Sequence, residues 1–120
     1  LIVYGYQPVM ITANCIQKND RGCEKKEGIL YLEDRQKKKF PVKNRCRYCY
    51  NIIYNSIPYG LPGEKDQVKK LNLHSLRLAF TIEEPEKAKA ILKEFRTVYQ
   101  ENGKPSGRRY TKGHFKRGAE

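Results

Sequence analysis

Residues 76–103 read LRLAFTIEEPEKAKAILKEFRTVYQENG, and two different periodicities follow one another within them. In the first part every second residue is apolar, which is the spacing of a β-strand, at Leu76, Leu78, Phe80 and Ile82. Pro85 then opens a helix, because proline is favoured at the first helical position, and Asn102-Gly103 ends it. The helix has one apolar face, formed by Ala88, Ile91, Leu92, Phe95, Val98 and Tyr99. The stretch therefore predicts one strand-then-helix unit of a larger α/β protein.

The rest of the chain is mostly short β-rich runs between turn residues. These runs predict strands at Leu1–Tyr4, Val9–Ala13, Ile29–Glu33 and Lys39–Val42. The last two form a hairpin, and Pro41 predicts that its second strand lies at a sheet edge. Residues 14–28 are polar and predict a loop, whereas residues 50–59 fit either a strand or a helical turn. Residues 64–71 predict a short helix.

The charge is strongly positive and uneven along the chain. The net charge is +12; residues 1–60 carry 11 basic and 5 acidic side chains, and residues 104–120 carry 6 and 1. Such a field attracts polyanions, RNA first among them, although a solvated surface would also carry these charges. The candidate RNA contacts are Arg108, Arg109, Lys112, Lys116 and Arg117, in a Gly-rich basic tail. No apolar run approaches the roughly 20 residues of a membrane helix, no signal-peptide pattern is present, and we expect a cytoplasmic protein.

Four cysteines are spaced Cys15-x7-Cys23-x22-Cys46-x2-Cys49. Two disulfides would suit a secreted chain, but the Lys-rich composition is typical of an intracellular one. Four thiolates also suit tetrahedral zinc, and Cys-x-x-Cys lets one turn supply two ligands. They equally suit a 4Fe–4S cluster, whose ligands tolerate irregular spacing because they come from separate loops. Spacing alone does not separate zinc from the cluster, and basic neighbours would offset the thiolate charge, at Lys18, Arg21, Lys25, Lys26, Arg45 and Arg47.

Several stretches, in this order, resemble the peptidase U32 (collagenase-like protease) family. The early ones are Val3-Tyr4-Gly5-Tyr6-Gln7-Pro8-Val9-Met10, Cys15, Cys23-Glu24-Lys25-Lys26, Tyr31-Leu32-Glu33-Asp34-Arg35 and Phe40-Pro41-Val42. The later ones are Cys46-Arg47-Tyr48-Cys49-Tyr50-Asn51, Ile53-Tyr54-Asn55-Ser56, Leu76-Arg77-Leu78 and Tyr110-Thr111-Lys112-Gly113-His114-Phe115-Lys116-Arg117-Gly118. Together they span nearly the whole chain.

The resemblance implies a TIM-barrel-like α/β body of which this chain is the C-terminal part, with a cysteine-rich β-hairpin insertion. Residues 1–103 would be a partial barrel segment with the four-cysteine site at residues 15–49, and residues 104–120 the basic tail. Members of the family are described as collagenase-like peptidases, hydroxylate transfer or ribosomal RNA, or act in ubiquinone hydroxylation. Several carry a 4Fe–4S cluster, so the resemblance implies that role for Cys15, Cys23, Cys46 and Cys49.

We therefore expect the parent protein to be a U32-type enzyme. The family is conventionally called a peptidase family, but the cysteines and basic residues favour RNA hydroxylation, and we expect this fragment to be inactive alone. Its partners would be RNA and the upstream part of its own chain, and no membrane. No catalytic residue is identified, because His74 and His114 have no evident nucleophile partner and no His-Glu-x-x-His motif exists. The alternative is a zinc-stapled, non-enzymatic RNA-binding module.

Overall fold

The structure is a computed structural model that describes residues 1–20, 22–23 and 25–116. In chain order the elements are β1 (Ile2–Gly5), β2 (Pro8–Thr12), α1 (Ile16–Asp20), β3 (Ile29–Glu33), β4 (Lys39–Arg45), β5 (Tyr50–Tyr54), β6 (Tyr59–Gly60), a 3-10 helix (Pro62–Glu64), α2 (Lys65–Lys70), β7 (Arg77–Ala79) and α3 (Pro85–Gln100). The described residues thus form a mixed α/β protein with two sheets and three α-helices, which confirms the α/β class. Within those ranges no helix combines the length and the apolar character needed to cross a bilayer.

The chain divides into two compact units. We call Leu1–Tyr6 with Ile57–Glu120 the helical unit, and Gln7–Ser56 the sheet unit. In the helical unit the strand order is β6-β1-β7, with β1 parallel to β7 and antiparallel to β6. The sheet unit is inserted in sequence between β1 and β6, and it contains all four cysteines.

The core of the helical unit lies where α3 packs on β1. Three residues one turn apart on α3 are buried, Ile91, Phe95 and Val98, and the first two pack against Val3 and Tyr4. The predicted strand and helix are both present, but β7 has three residues rather than seven, because β1 offers it only a short partner. The sequence predicts that Leu92 belongs to the apolar face of the helix that packs on the core, and this was wrong. Leu92 is 51% exposed, outside the row of buried residues on α3.

The C-terminal segment is attached to the helical unit rather than free. Thr111 forms an isolated bridge with Tyr59, its backbone N–H donates to Pro58 at 2.9 Å, and its carbonyl accepts from Gly60 at 3.0 Å. The ring of Tyr110 packs on Gly60 so closely that a Cβ there would stand 2.4 Å from the ring. These contacts hold the segment to the helical unit at Tyr110 and Thr111.

The sheet unit is a four-stranded antiparallel sheet with the order β2-β5-β4-β3. The segment of undecided class, residues 50–59, begins with β5, and β3 has the bounds that the sequence predicts. The prediction of an edge strand at Pro41 was wrong, because β4 has neighbours on both sides. Pro41 itself nevertheless lies beyond the last β4–β5 pair, Val42 with Ile53, and is paired only with Tyr31 of β3. Its missing N–H thus costs the β4–β5 ladder nothing.

Candidate metal centre

The Cys-x-x-Cys segment forms the turn between β4 and β5. The N–H of Tyr48 donates to the carbonyl of Arg45 at 3.1 Å, and that of Cys49 to Cys46 at 3.4 Å. Cys49 has φ +52°, in the left-handed region that residues with a Cβ rarely adopt. Glycine or asparagine would suit this backbone better, although Lys25 and Lys37 also adopt positive φ in this chain.

The other two cysteines lie in the segment between β2 and β3. Cys15 directly precedes α1, and its Sγ accepts a hydrogen bond from the N–H of Lys18 at 3.4 Å, as a helix-capping side chain does. This helix was missed by the sequence analysis, which predicts a loop over residues 14–28. Cys23 follows it and is exposed. The thiol of Cys46 donates to the carbonyl of Lys26 at 3.2 Å, so this segment and the β4–β5 turn are in direct contact.

All four cysteines line one cavity of about 320 Å³. Each is a free thiol, and Cys15 and Cys46 are half-buried whereas Cys23 and Cys49 are exposed. In the described ranges no three His, Cys, Asp or Glu side chains converge closely enough to hold a single ion. The four thiols thus share a cavity without forming a ready-made single-ion site among the described residues.

The electrostatics of the cavity match a group that thiolates bind. Burial raises the pKa of the Cys46 thiol, and the neighbouring thiols of Cys15, Cys23 and Cys49 raise it further. These neighbours therefore disfavour a negative charge on Cys46, and a cationic centre among the sulphurs would favour it. Two cationic side chains, Lys18 and Arg45, line the same cavity.

Arg45 offers a hydrogen-bond donor at this site. Its Nε is buried, and among the described residues it has no hydrogen-bond partner. Its Nη1 lies 3.9 Å from Oε2 of Glu27, in a partly exposed ion pair. Of the other basic neighbours predicted from sequence, Lys25, Lys26 and Arg47 are exposed, and Arg21 lies outside the described residues.

Two buried asparagines, Asn44 and Asn51, hold the segment between β2 and β3 on the sheet. We call this segment, residues 13–28, the cysteine-bearing segment. The two asparagines are cross-strand partners in β4 and β5, and 2% and 0% exposed. Oδ1 of Asn44 accepts from the N–H of Gly28 at 2.6 Å; its Nδ2 donates to Gln17 at 2.6 Å and to the Lys26 carbonyl at 3.2 Å.

Nδ2 of Asn51 donates to the carbonyl of Asn14, the residue before Cys15, at 2.9 Å. Sequence analysis missed both asparagines. Asn51 offered a signal, because it is a polar residue between Tyr50 and Ile52, whereas Asn44 stands between Lys43 and Arg45 and offered none.

The five candidate RNA contacts differ in whether the protein itself neutralises their charge. Arg108 Nε lies 3.4 Å from Oε2 of Glu94, while Lys112 and Lys116 reach Oε1 of Glu64 at 2.5 and 3.3 Å. Both carboxylates are buried, with side chains 7% and 6% exposed, so three of the five cations neutralise internal charge. Arg109 is exposed, and Arg117 lies outside the described residues.

Comparisons with known proteins leave the family open. No protein-family model matches the chain, and neither the curated proteins nor the solved structures gave a match. The resemblance to the peptidase U32 family therefore stays a prediction that depends on the stretches quoted above.

Proposed function

We propose that Cys15, Cys23, Cys46 and Cys49 hold one 4Fe–4S cluster. The observation that carries this proposal is the single cavity of about 320 Å³ lined by all four cysteines. Around one zinc ion, Zn–S bonds of about 2.3 Å would bring tetrahedral sulphurs to about 3.8 Å from one another. In a 4Fe–4S cluster each thiolate binds a different iron, so the sulphurs stand further apart around a larger body. The cavity supports the second arrangement.

The residues around the cavity suit such a group. A cluster with four thiolates carries net negative charge, which Lys18 and the Arg45 guanidinium would offset. The buried Nε–H of Arg45 would donate a hydrogen bond to a cluster sulphur. Hydrogen bonds to the sulphurs are one means by which a protein sets the reduction potential of a cluster. When bound, the cluster would supply one-electron transfer. The residues of this chain would hold it, neutralise it and limit water around it.

We further propose that the chain is the C-terminal part of a U32-type enzyme with a TIM-barrel-like body that acts on RNA in the cytoplasm. The sequence resemblance supports this proposal. The strand β7 followed by α3 is compatible with one β/α unit of such a barrel, whereas the antiparallel β6 beside β1 is not part of an all-parallel barrel wall. The net charge of +12 favours a polyanionic substrate over a peptide. RNA hydroxylation is therefore our proposed activity for the parent protein.

The cluster is tested by anaerobic purification with iron and sulphide quantification. We expect about four irons and four sulphides per chain and an absorbance band near ~400 nm. Serine at any one of the four cysteine positions should lower iron content, whereas Ala13→Ser, at a cavity-lining position that is not a ligand, should keep it. A colourless protein with one zinc per chain would contradict the cluster and support a zinc-stapled RNA-binding module.

The activity is tested on the full-length protein. RNA from cells that lack the gene should be missing a nucleoside with one added oxygen, which the wild-type gene restores. Peptide hydrolysis by the purified protein, together with unchanged RNA nucleosides, would show that the RNA proposal is wrong.

A further inference from the structure

A second cavity, of about 210 Å³, lies within the helical unit and is separate from the cysteines. Its lining combines aromatic rings with cations: Tyr4, Tyr6, Tyr110, Lys87, Arg108 and Arg109. Lys87 comes from the first turn of α3, the two arginines from the attached C-terminal segment, and Tyr6 from the end of β1. No function described above uses this cavity.

The positive charge at this cavity exceeds what the protein neutralises. Glu94 balances Arg108, through the 3.4 Å contact with its Nε. Lys87 and Arg109 are both exposed, and in the described part of the chain neither has a carboxylate within ion-pair distance. Lys87 Nζ instead lies 5.8 Å from the centroid of the Tyr6 ring, a cation–π contact. Two cations are thus available to an anionic ligand.

Two of the three aromatic rings, those of Tyr4 and Tyr110, are held in place by the core. The Tyr110 hydroxyl donates to Glu94 at 3.0 Å and that of Tyr4 to Glu83 at 2.7 Å, and the two rings meet edge to face at 6.1 Å. Tyr6 is only half-buried, so part of its ring is accessible. An accessible aromatic ring beside cations is the arrangement with which proteins bind single-stranded nucleic acid, where bases stack on the ring and cations contact phosphates.

We propose that this cavity binds one nucleotide of a single-stranded RNA, with its base against Tyr6 and its phosphates at Lys87 and Arg109. A single cavity of this size takes one nucleotide unit, while the charge of +12 favours a polymer that makes many phosphate contacts over a free nucleotide. The choice of RNA over DNA rests on the proposed function. The site itself rests on the lining residues, in a different unit from the cysteines.

The test is fluorescence anisotropy with a short labelled oligouridylate and the purified chain. Lys87→Ala and Arg109→Ala should each weaken binding several-fold and reduce the slope of log K against log salt by about 0.7, one phosphate contact each. Tyr6→Ala should weaken binding by roughly 5- to 150-fold, while Tyr6→Phe, which keeps the ring, should bind like the wild type. Lys93→Ala removes the same charge from an exposed position of α3 outside the cavity, and should change binding little.

Three results would overturn the site: equal losses for Lys93→Ala and Lys87→Ala, wild-type binding by Tyr6→Ala, or equal affinity for duplex RNA and the single strand. Uridine monophosphate binding as tightly as the oligomer would show that the ligand is a free nucleotide, and a preference for single-stranded DNA would overturn the choice of RNA. If the wild-type chain does not bind the oligomer at all, the site is wrong, whereas the RNA activity of the parent protein is decided separately by the nucleoside analysis. Iron content, measured in the same samples, reports on the cluster independently.

Discussion

Replacing Asn44 by alanine should loosen the cysteine-bearing segment and weaken binding at the proposed metal centre. The amide of Asn44 makes three hydrogen bonds, to Gly28, Gln17 and Lys26, and the residue is 2% exposed. Alanine fits β4 without a clash, but it leaves the N–H of Gly28 and the carbonyl of Lys26 without these partners. Lys26 is also the residue whose carbonyl accepts from the Cys46 thiol.

The expected cost follows from the number of bonds. A buried hydrogen bond contributes about 1 kcal/mol net, so the loss of three lowers the free energy of unfolding by about 3 kcal/mol. The sheet unit has 50 residues, Gln7–Ser56, and at about 0.05–0.15 kcal/mol per residue its total stability is roughly 2.5–7.5 kcal/mol. The substitution therefore removes a large share of the stability of the metal-free unit. Because metal binding is coupled to folding, iron retention should fall with it.

Urea unfolding of the metal-free chain measures the first effect, and iron per chain after anaerobic reconstitution measures the second. Asn55→Ala is the matched control: it removes the same amide in the same unit, but Asn55 accepts only a local bond from the N–H of Ser56 at 2.8 Å. Asn44→Asp adds a second comparison, since a carboxylate can still accept from Gly28 but cannot donate to Gln17 or Lys26. It should bind less iron than the wild type.

The reasoning would be refuted by an Asn44→Ala protein that unfolds within about 0.5 kcal/mol of the Asn55→Ala control and takes up full iron. Surface substitutions ordinarily fall within that margin, so such a result would place Asn44 among them despite its burial. A large loss of stability with full iron uptake would show that the asparagine supports the sheet but not the cysteine site.

Three further outcomes are expected. Gly60→Ala should destabilise the helical unit by about 1–3 kcal/mol in thermal unfolding, because its Cβ would stand 2.4 Å from the Tyr110 ring, whereas Gly63→Ala, with open space around it, should be near neutral. Hydrogen bonds from Lys112, and then from Lys116, outweigh the effect of burial and hold the pKa of Glu64 below its usual range. The ionised Glu64 therefore stabilises the folded state above about pH 4.3, and this contribution is lost as the pH falls through the pKa of the folded state. Glu64→Gln should therefore expose the C-terminal segment to proteolysis at neutral pH, and its stability difference from wild type should shrink in acid; a constant difference would contradict the ion pair. Removing iron with a chelator should lower the unfolding midpoint of the sheet unit, and equal midpoints with and without iron would contradict a centre that binds the folded state.

How far the sequence predicts the structure depends on which interactions form each element. The bounds of β3 and the first residue of α3 follow from local patterns, because alternation and a proline at the first helical position are properties of neighbouring residues. The helix α1 was missed because a five-residue helix has almost no periodicity and depends on its cap. The exposure of Leu92 was missed because the width of a buried helical stripe is decided by what covers it.

The same distinction holds at the two sites. Spacing identifies the four cysteines as a group, but it carries no information on the carboxylates that bind the tail. Glu64 and Glu94 look like ordinary surface residues in the sequence, and only the fold shows that they are buried beneath cations. Of the three cations that line the cavity beside Tyr6, Arg108 pairs with Glu94, while Lys87 and Arg109 have no carboxylate within ion-pair distance in the described part of the chain.

Several locally unfavourable choices converge on the cysteine cavity. Cys49 occupies a left-handed backbone position that residues with a Cβ rarely adopt. Two buried polar atoms nearby in sequence, Arg45 Nε and Asn51 Oδ1, have no hydrogen-bond partner among the described residues. Each feature costs on the order of 1–3 kcal/mol in a unit whose total stability is of the same order. A bound centre that is absent from the unfolded chain would offset such costs, which is the physical reason to place the function of this unit at its four thiols.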